Sequence, residues 1–174
     1  MEFFCLKSDK RCSDAPVIQN WYGKLNEEHI CKKNSYLLPK RELFEIRYNP
    51  NVFFPDILVF PYFLVSNTCK EVISVYEPNT IYKQIVLLDV KAGKCEVYNL
   101  PILERIDDFS NCGKCLIGRQ DEKLRIKAEN IRDLSIFQVR KNDKIHTVVR
   151  LDMLESFLRR GATGVIVEEV IVEG

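Results

Sequence analysis

The clearest apolar pattern lies in the middle of the chain and predicts two β-hairpins. "YKQIVLLDV" at 82–90 and "CEVYNL" at 95–100 flank the turn "KAGK", which contains Gly93. "IFQVR" at 136–140 and "IHTVVR" at 145–150 flank the turn "KNDK" in the same way. The continuous apolar run from Ile85 to Leu88 predicts a central strand covered on both faces.

A first helix is predicted before the first hairpin. Ser66 is a suitable N-cap, and Pro78 disfavours helical geometry at Glu77, so the helix should end there. The apolar positions between them follow helical spacing: Cys69, Val72, Ile73 and Tyr76.

The segment "LDMLESFLRRGATGVIVEEV" predicts a C-terminal helix–strand unit. Asp152 is the expected N-cap, with Glu155 placed to reach back to it, and Gly161 is expected to close the helix in the left-handed conformation. The predicted apolar stripe consists of Leu151, Leu154, Phe157 and Leu158. The β-branched run "VIVEEVIV" then predicts a strand.

The first 50 residues give weaker signals: a short apolar start at Phe3, Phe4 and Leu6, and the alternating "ELFEIRY" at 42–48. Together the patterns predict an α+β fold with a mixed, mainly antiparallel sheet, two or three helices and the C-terminal helix–strand unit. We expect residues 1–174 to form a single domain, with a small N-terminal lobe (1–50) packed on a main body (51–174) as the alternative arrangement.

Charge argues against a general nucleic-acid binder. The chain has 26 Lys and Arg against 25 Asp and Glu, and neither half carries a basic excess. The start "MEFFCLKSDK" lacks the basic segment and long apolar run of a secretory signal, and "FFPDILVFPYFLV" at 53–65 is too short to span a bilayer. We therefore expect a cytoplasmic protein that binds neither nucleic acid nor membranes; its oligomeric state is not predicted.

Seven cysteines, an odd number, fit a reducing compartment. The loop "NCGKC" places Cys112 and Cys115 at Cys-x-x-Cys spacing. A zinc site would need about two more ligands: Cys5 and Cys12 are too far apart to form a knuckle, and His29 and Cys31 would serve only if the two halves of the chain met. A redox pair would need a helix directly after it. We therefore predict two loop cysteines and no cofactor, with a zinc- or thiol-dependent protein as the alternative.

No assembled catalytic motif is visible, so we expect a non-enzymatic protein without catalytic residues. "RRGATG" at 159–164 follows a helix, whereas phosphate-binding glycines precede one. His146 lies in an alternating strand, where a structural role is expected. One run of aromatic residues is interpreted as part of the core, with a partner-facing patch as the second choice: Phe53, Phe54, Phe60, Tyr62 and Phe63.

The order of elements resembles that of bacterial immunity proteins encoded beside polymorphic toxins. The resemblance covers roughly residues 57–171 and rests on "LVSNTCKEVISVYEPN", "IVLLDVKAGKCEVYNLP", "IFQVR" and "LDMLESFLRRGATGVIVEEV". It implies a protein that binds and neutralises a cognate toxin domain. If that toxin is a basic nuclease, the hypothesised contacts are acidic: Asp107, Asp108, Asp121 and Glu122.

Overall fold

The structure is a computed structural model and describes residues 1–107, 123–141 and 143–173. In these ranges the fold is α+β, and its strands outnumber its two α-helices. The helices are α1 (Asn67–Tyr76) and α2 (Leu151–Arg159). The strands are β1 (Phe3–Ser8), β2 (Arg41–Glu45), β3 (Ile57–Leu58), β4 (Leu64–Val65), β5 (Ile81–Asp89), β6 (Lys94–Ile102), β7 (Arg105–Asp107), β8 (Arg125–Lys127), β9 (Ile136–Lys141), β10 (Lys144–Arg150), β11 (Val165–Glu169) and β12 (Ile171–Glu173).

These strands form three sheets. The first sheet has the order β2-β5-β6-β4-β3, the second β11-β1-β10-β9-β7, and the third pairs β12 with β8. The pairs β2–β5, β7–β9 and β8–β12 are parallel, and the other described pairs are antiparallel. The expected mixed, mainly antiparallel pairing is therefore confirmed, although it is distributed over several sheets.

Both predicted hairpins are present. β5 pairs with β6 and β9 pairs with β10, each in antiparallel register. Gly93 adopts φ +63° in the first turn, and the Asp89 carboxylate accepts hydrogen bonds from the backbone N–H groups of Lys91 and Ala92. The central position of β5 is also confirmed, since it lies between β2 and β6. The expected coverage of β5 on both faces is not confirmed, because Val86 and Leu88 are only half-buried.

Helix α1 forms as the sequence predicts. The Ser66 hydroxyl accepts a hydrogen bond from the backbone N–H of Cys69 at 3.3 Å, which makes Ser66 the N-cap. Cys69, Val72 and Ile73 are buried, and the helix ends at Tyr76, two residues before Pro78. The apolar face therefore lies where the spacing of the sequence placed it.

The predicted start of α2 is wrong. The helix begins at Leu151, directly after β10, so Arg150 occupies the N-cap position and makes no side-chain cap. The Asp152 carboxylate instead accepts hydrogen bonds from the Arg150 guanidinium at 2.8 and 2.9 Å, and Glu155 pairs with Arg159. The strand runs into the helix without a loop, which leaves no extended residue at position 152 to act as a cap.

The apolar stripe of α2 also differs from the prediction at three positions. Met153 is fully buried, whereas Leu158 is 55% exposed and Leu151 is half-buried; Leu154 and Phe157 are buried as expected. Gly161, at φ +73°, has the predicted left-handed conformation after the helix.

The last apolar run forms two strands rather than one. β11 belongs to the second sheet and β12 to the third, and the chain passes between them at Val170. The backbone N–H of Val170 donates to the carbonyl oxygen of Phe3 at 2.9 Å. Strand β1 itself lies between β10 and β11, so early and late residues share one sheet.

The first sheet carries a core on one of its faces. Strand residues Phe44, Ile85 and Leu87 are buried there. Non-strand residues from the first part of the chain complete this core: Ile18, Leu25, Ile30 and Leu38. The segment before β2 therefore packs on the first sheet, and its loops cover that sheet's inner face.

Candidate interaction surface

Four aromatic side chains lie together beside the inner face of the first sheet. We call Trp21, Tyr22, Phe60 and Tyr62 the aromatic cluster. The Trp21 ring lies 5.9 Å from Tyr22, 5.3 Å from Phe60 and 6.2 Å from Tyr62, measured between ring centroids, and each pair is edge-to-face. Such pairs stabilise one another beyond the area they bury. The cluster is therefore a joined platform rather than four separate rings.

The cluster rests on the core through Tyr62. The buried Tyr62 ring packs 5.7 Å from Phe44 of β2, and its hydroxyl donates a hydrogen bond to the carbonyl oxygen of Trp21 at 3.0 Å. The pKa of Tyr62 is raised, chiefly by burial and further by the nearby carboxylates of Glu27 and Glu42. The hydroxyl therefore stays protonated at neutral pH and keeps the loop of Trp21 tied to the sheet.

Two rings of the cluster face solvent. Tyr22 is 88% exposed and Phe60 is 67% exposed, while Trp21 is half-buried between them. Single exposed apolar residues are ordinary, but adjoining aromatic rings on a rigid base are typical of protein-binding sites. We therefore treat the aromatic cluster as the candidate functional site.

The structure divides the aromatic residues that the sequence grouped as core. Tyr62 and Phe63 are buried and Phe54 packs partly against the core, so the core interpretation holds for them. Phe60 and Phe53 are largely exposed, which fits the second choice, a surface patch. Trp21 and Tyr22 were missed, because they lie in a polar segment without periodicity. The only signal was the single tryptophan of the chain, directly beside a tyrosine.

The acidic contacts hypothesised from the sequence lie almost entirely outside the described residues; they are Asp107, Asp108, Asp121 and Glu122. Only the backbone of Asp107 is described: it ends β7 in register with Arg140 of β9. Asp108, Asp121 and Glu122 fall in the range 108–122. Their role in binding stays a prediction.

The loop cysteines Cys112 and Cys115 also lie outside the described residues. Within the described ranges, no group of three His, Cys, Asp or Glu residues is arranged to hold a metal ion. Among the described residues alone, such a group is not formed by the further ligands considered from the sequence, Cys5, Cys12, His29 and Cys31; a site that includes Cys112 and Cys115 lies outside the described residues.

The Cys5 thiol lies beside a histidine but is not activated. Cys5 Sγ lies 4.0 Å from Nδ1 of His146, which sits half-buried in β10. Burial raises the pKa of Cys5 to about 11, so this thiol is protonated at neutral pH. Because the thiolate is the reactive form, the pair offers no nucleophile.

In the described ranges, no helix combines the length and apolar character that crossing a membrane requires. No protein-family model matches the chain, and no curated protein matches it.

Proposed function

We propose that this protein is a non-enzymatic immunity protein that binds and neutralises a cognate bacterial toxin domain, and that the aromatic cluster is the centre of its contact surface. The observation that carries the proposal is the exposure of Tyr22 and Phe60 on a base fixed by Trp21 and Tyr62. The succession α1, β5–β6 hairpin, β9–β10 hairpin and α2–β11, on which the resemblance to immunity proteins rests, supports it further.

The physical reason is that neutralisation requires tight binding by a preformed surface. Tryptophan and tyrosine are among the residues whose loss costs an interface most, often about 2 kcal/mol or more each. Rings already held by edge-to-face contacts lose little conformational entropy on binding. The aromatic cluster combines both properties in one place.

The charges near the cluster favour a protein over a nucleic acid. Aromatic rings can also stack on bases, but such sites line them with cations that neutralise phosphates. Here the carboxylates of Glu27 and Glu42 contribute to the raised pKa of Tyr62, and the Lys24 ammonium lies 3.3 Å from the Glu42 carboxylate. These three charged groups, Glu27, Glu42 and Lys24, thus give no basic excess that would attract phosphates.

The test is co-expression of this protein with each toxin domain encoded in an adjacent reading frame, followed by measurement of survival and of complex formation. We expect one such toxin to be neutralised in a stable complex. The double variant Tyr22→Ala/Phe60→Ala should bind it at least ~30-fold more weakly, which corresponds to about 2 kcal/mol. Val75→Ala, a truncation of an equally exposed residue on α1, should bind like the unaltered protein.

Three outcomes would contradict the proposal. If every active neighbouring toxin still kills while this protein is soluble and forms no complex, the immunity function is wrong. If the double variant binds as tightly as Val75→Ala, the aromatic cluster is not the contact surface. Salt-sensitive binding of the purified protein to mixed-sequence DNA or RNA would instead favour nucleic-acid binding.

A further inference from the structure

We infer that the toxin domain also covers a second, apolar surface on the opposite face of the first sheet, so that it straddles the edge strand β2. This inference rests on the proposed function. It assigns to the partner a contact that neither the aromatic cluster nor the acidic residues of the sequence hypothesis include.

Strand register places five apolar side chains side by side on this outer face. Leu43 of β2 is the neighbour of Val86 of β5, which lies opposite Val97 of β6. One row further along the strands, Leu88 lies opposite Cys95. We call this set, Leu43, Val86, Leu88, Cys95 and Val97, the apolar strip.

The apolar strip is open to solvent. Leu43 is 43% exposed, Val97 is 38% exposed and Cys95 is exposed, whereas Val86 and Leu88 between them are half-buried. Phe44, which neighbours Leu43 but points to the inner face, is fully buried. The two faces of the same strands therefore differ, and no layer from the described part of the chain covers the outer one at these positions.

Helix α1 covers the other end of this face and stops before the apolar strip. The Asn99 side-chain amide, in the adjoining row, donates to Asn67 Oδ1 of α1 at 2.9 Å. The Tyr82 hydroxyl lies 3.1 Å from the Ser74 hydroxyl of the same helix. Among the described residues, the strip thus begins where the helix layer ends, and a partner molecule can supply the next layer on it.

The strip and the aromatic cluster meet at β2. Lys24, three residues after Trp21, places its ammonium 4.6 Å from the centroid of the Phe44 ring and donates to the carbonyl oxygen of Leu43. Phe44 lies under the cluster, and Leu43 begins the strip. A partner seated on the aromatic cluster therefore reaches the apolar strip by passing one strand.

The size of a stable interface requires such an extension. A specific complex buries roughly 800 Å² on each partner. A whole aromatic side chain buries about 150–250 Å², so Tyr22, Phe60 and the half-buried Trp21 together supply roughly half of that area. The apolar strip is the adjoining surface that can supply much of the remainder.

The backbone at β2 limits how the partner can bind. The carbonyl oxygen of Leu43 already accepts a hydrogen bond from the Lys24 ammonium, and that of Glu45 accepts one from the backbone N–H of Gln19. The backbone N–H of Arg47 donates to the carbonyl oxygen of Val17. These bonds occupy the edge that an added strand would need. The partner must therefore contact side chains rather than extend the sheet.

Charges at the ends of the strip define the chemistry of the partner. Arg41 and Glu45 flank Leu43 on the same face of β2, about 13 Å apart at the usual rise per residue. Arg41 donates to the side chain of Gln84, and in the described ranges neither residue lies in a salt bridge. A complementary toxin surface has an apolar ridge with a carboxylate near Arg41 and a cation near Glu45.

The experiment uses the complex with the neighbouring toxin domain that this protein neutralises. Leu43→Lys and Val97→Lys should each weaken binding at least tenfold, because each places a charge in the covered strip. Leu158→Lys, which alters an equally exposed leucine on α2, should leave binding unchanged. Thermal unfolding of each variant checks that the fold is intact.

A second measurement needs no substitution. Cys95 is a native thiol within the strip, and its rate of alkylation by iodoacetamide can be followed by peptide mass spectrometry. We expect the rate to fall at least tenfold in the complex relative to the free protein. This result identifies coverage of the strip even if a lysine variant fails to fold.

The possible failures are distinguishable. If Cys95 reacts equally fast in the complex and Leu43→Lys binds like Leu158→Lys, while Tyr22→Ala/Phe60→Ala weakens binding, the strip inference is wrong and the proposed function stands. If no neighbouring toxin domain forms a complex, the proposed function is wrong, and this inference falls with it.

Discussion

Asp56 joins three segments that are distant in the chain. Its carboxylate accepts hydrogen bonds from the Ser66 hydroxyl at 2.9 Å and from the backbone N–H and hydroxyl of Thr163 at 3.1 and 3.0 Å. The N–H of Ile57 donates back to the carbonyl oxygen of Thr163. The chain after α2 is thereby held against the start of β3 and the cap of α1.

Gly164 is the residue at which this junction tolerates least change. It adopts φ +101°, and an added Cβ would lie 2.3 Å from the carbonyl oxygen of Ile57 and 2.7 Å from Cβ of Pro55. We expect Gly164→Ala to lower the free energy of unfolding by more than ~2 kcal/mol, since neither the backbone carbonyl of Ile57 nor the Pro55 ring can move away cheaply.

The matched control is Gly93→Ala. Gly93 also has positive φ, but nothing lies within 4 Å of its added Cβ, so only backbone strain of about 1 kcal/mol is expected. Urea unfolding of both variants gives the comparison. Equal losses would mean that the close approach at Gly164 relaxes.

Buried and exposed cysteines are predicted to react with alkylating reagents at different rates. Burial raises the pKa of Cys5 and of Cys69 to about 11, so at pH 8 only about one molecule in a thousand carries either thiolate. We expect alkylation at pH 8 to label the exposed Cys95 and to leave both buried thiols unmodified until urea unfolds the protein. Peptide mass mapping measures this, and labelling of Cys69 at the rate of Cys95 would contradict it.

The two helices show how far local signals determine an element. One extended residue, Ser66, separates β4 from α1, so the cap could be predicted from Ser66 and the spacing of three buried residues. α2 follows β10 directly, and this continuity depends on where the strand finds its partners in β9 and β1. Asp152 was therefore a misleading cap signal, because tertiary pairing set the helix start two residues before the predicted first helical position.

Ser66 should matter more to α1 than any other polar residue of its first turn. Ser66→Ala removes the hydrogen bond to the N–H of Cys69 and the one to Asp56, and we expect a loss of about 1–2 kcal/mol. Thr68→Ala, at an exposed position of the same turn, should change stability by less than ~0.5 kcal/mol. Chemical denaturation of both variants provides the measurement. A cap that contributes nothing would make them indistinguishable.

At the scale of the whole molecule, the sequence predicted pairings that are close along the chain and missed those that are distant. Both hairpins and α1 could be found because their partners lie within a few residues. The role of β1 could not, because it pairs with β10 and β11 from the other end of the chain. The apolar run of β5 likewise predicted burial, but whether a layer covers Val86 and Leu88 is decided by where α1 lies.

The candidate site depended even more on assembly. Phe60 was part of a predicted aromatic group, yet its neighbour Trp21 lies some forty residues earlier in a segment without a regular pattern. The rings adjoin because the segment before β2 folds over the inner face of the first sheet. Composition offered one signal, the single tryptophan of the chain, but only the fold showed what surrounds it.

The position of β1 also has a consequence for synthesis. Phe3–Ser8 can pair only with residues from 147 onward, so these apolar residues leave the ribosome long before their partners exist. At 5–20 residues per second, the delay is roughly 7–30 s. The second sheet therefore closes only late in translation, and until then the growing chain presents an unpaired apolar segment to chaperones and to other chains.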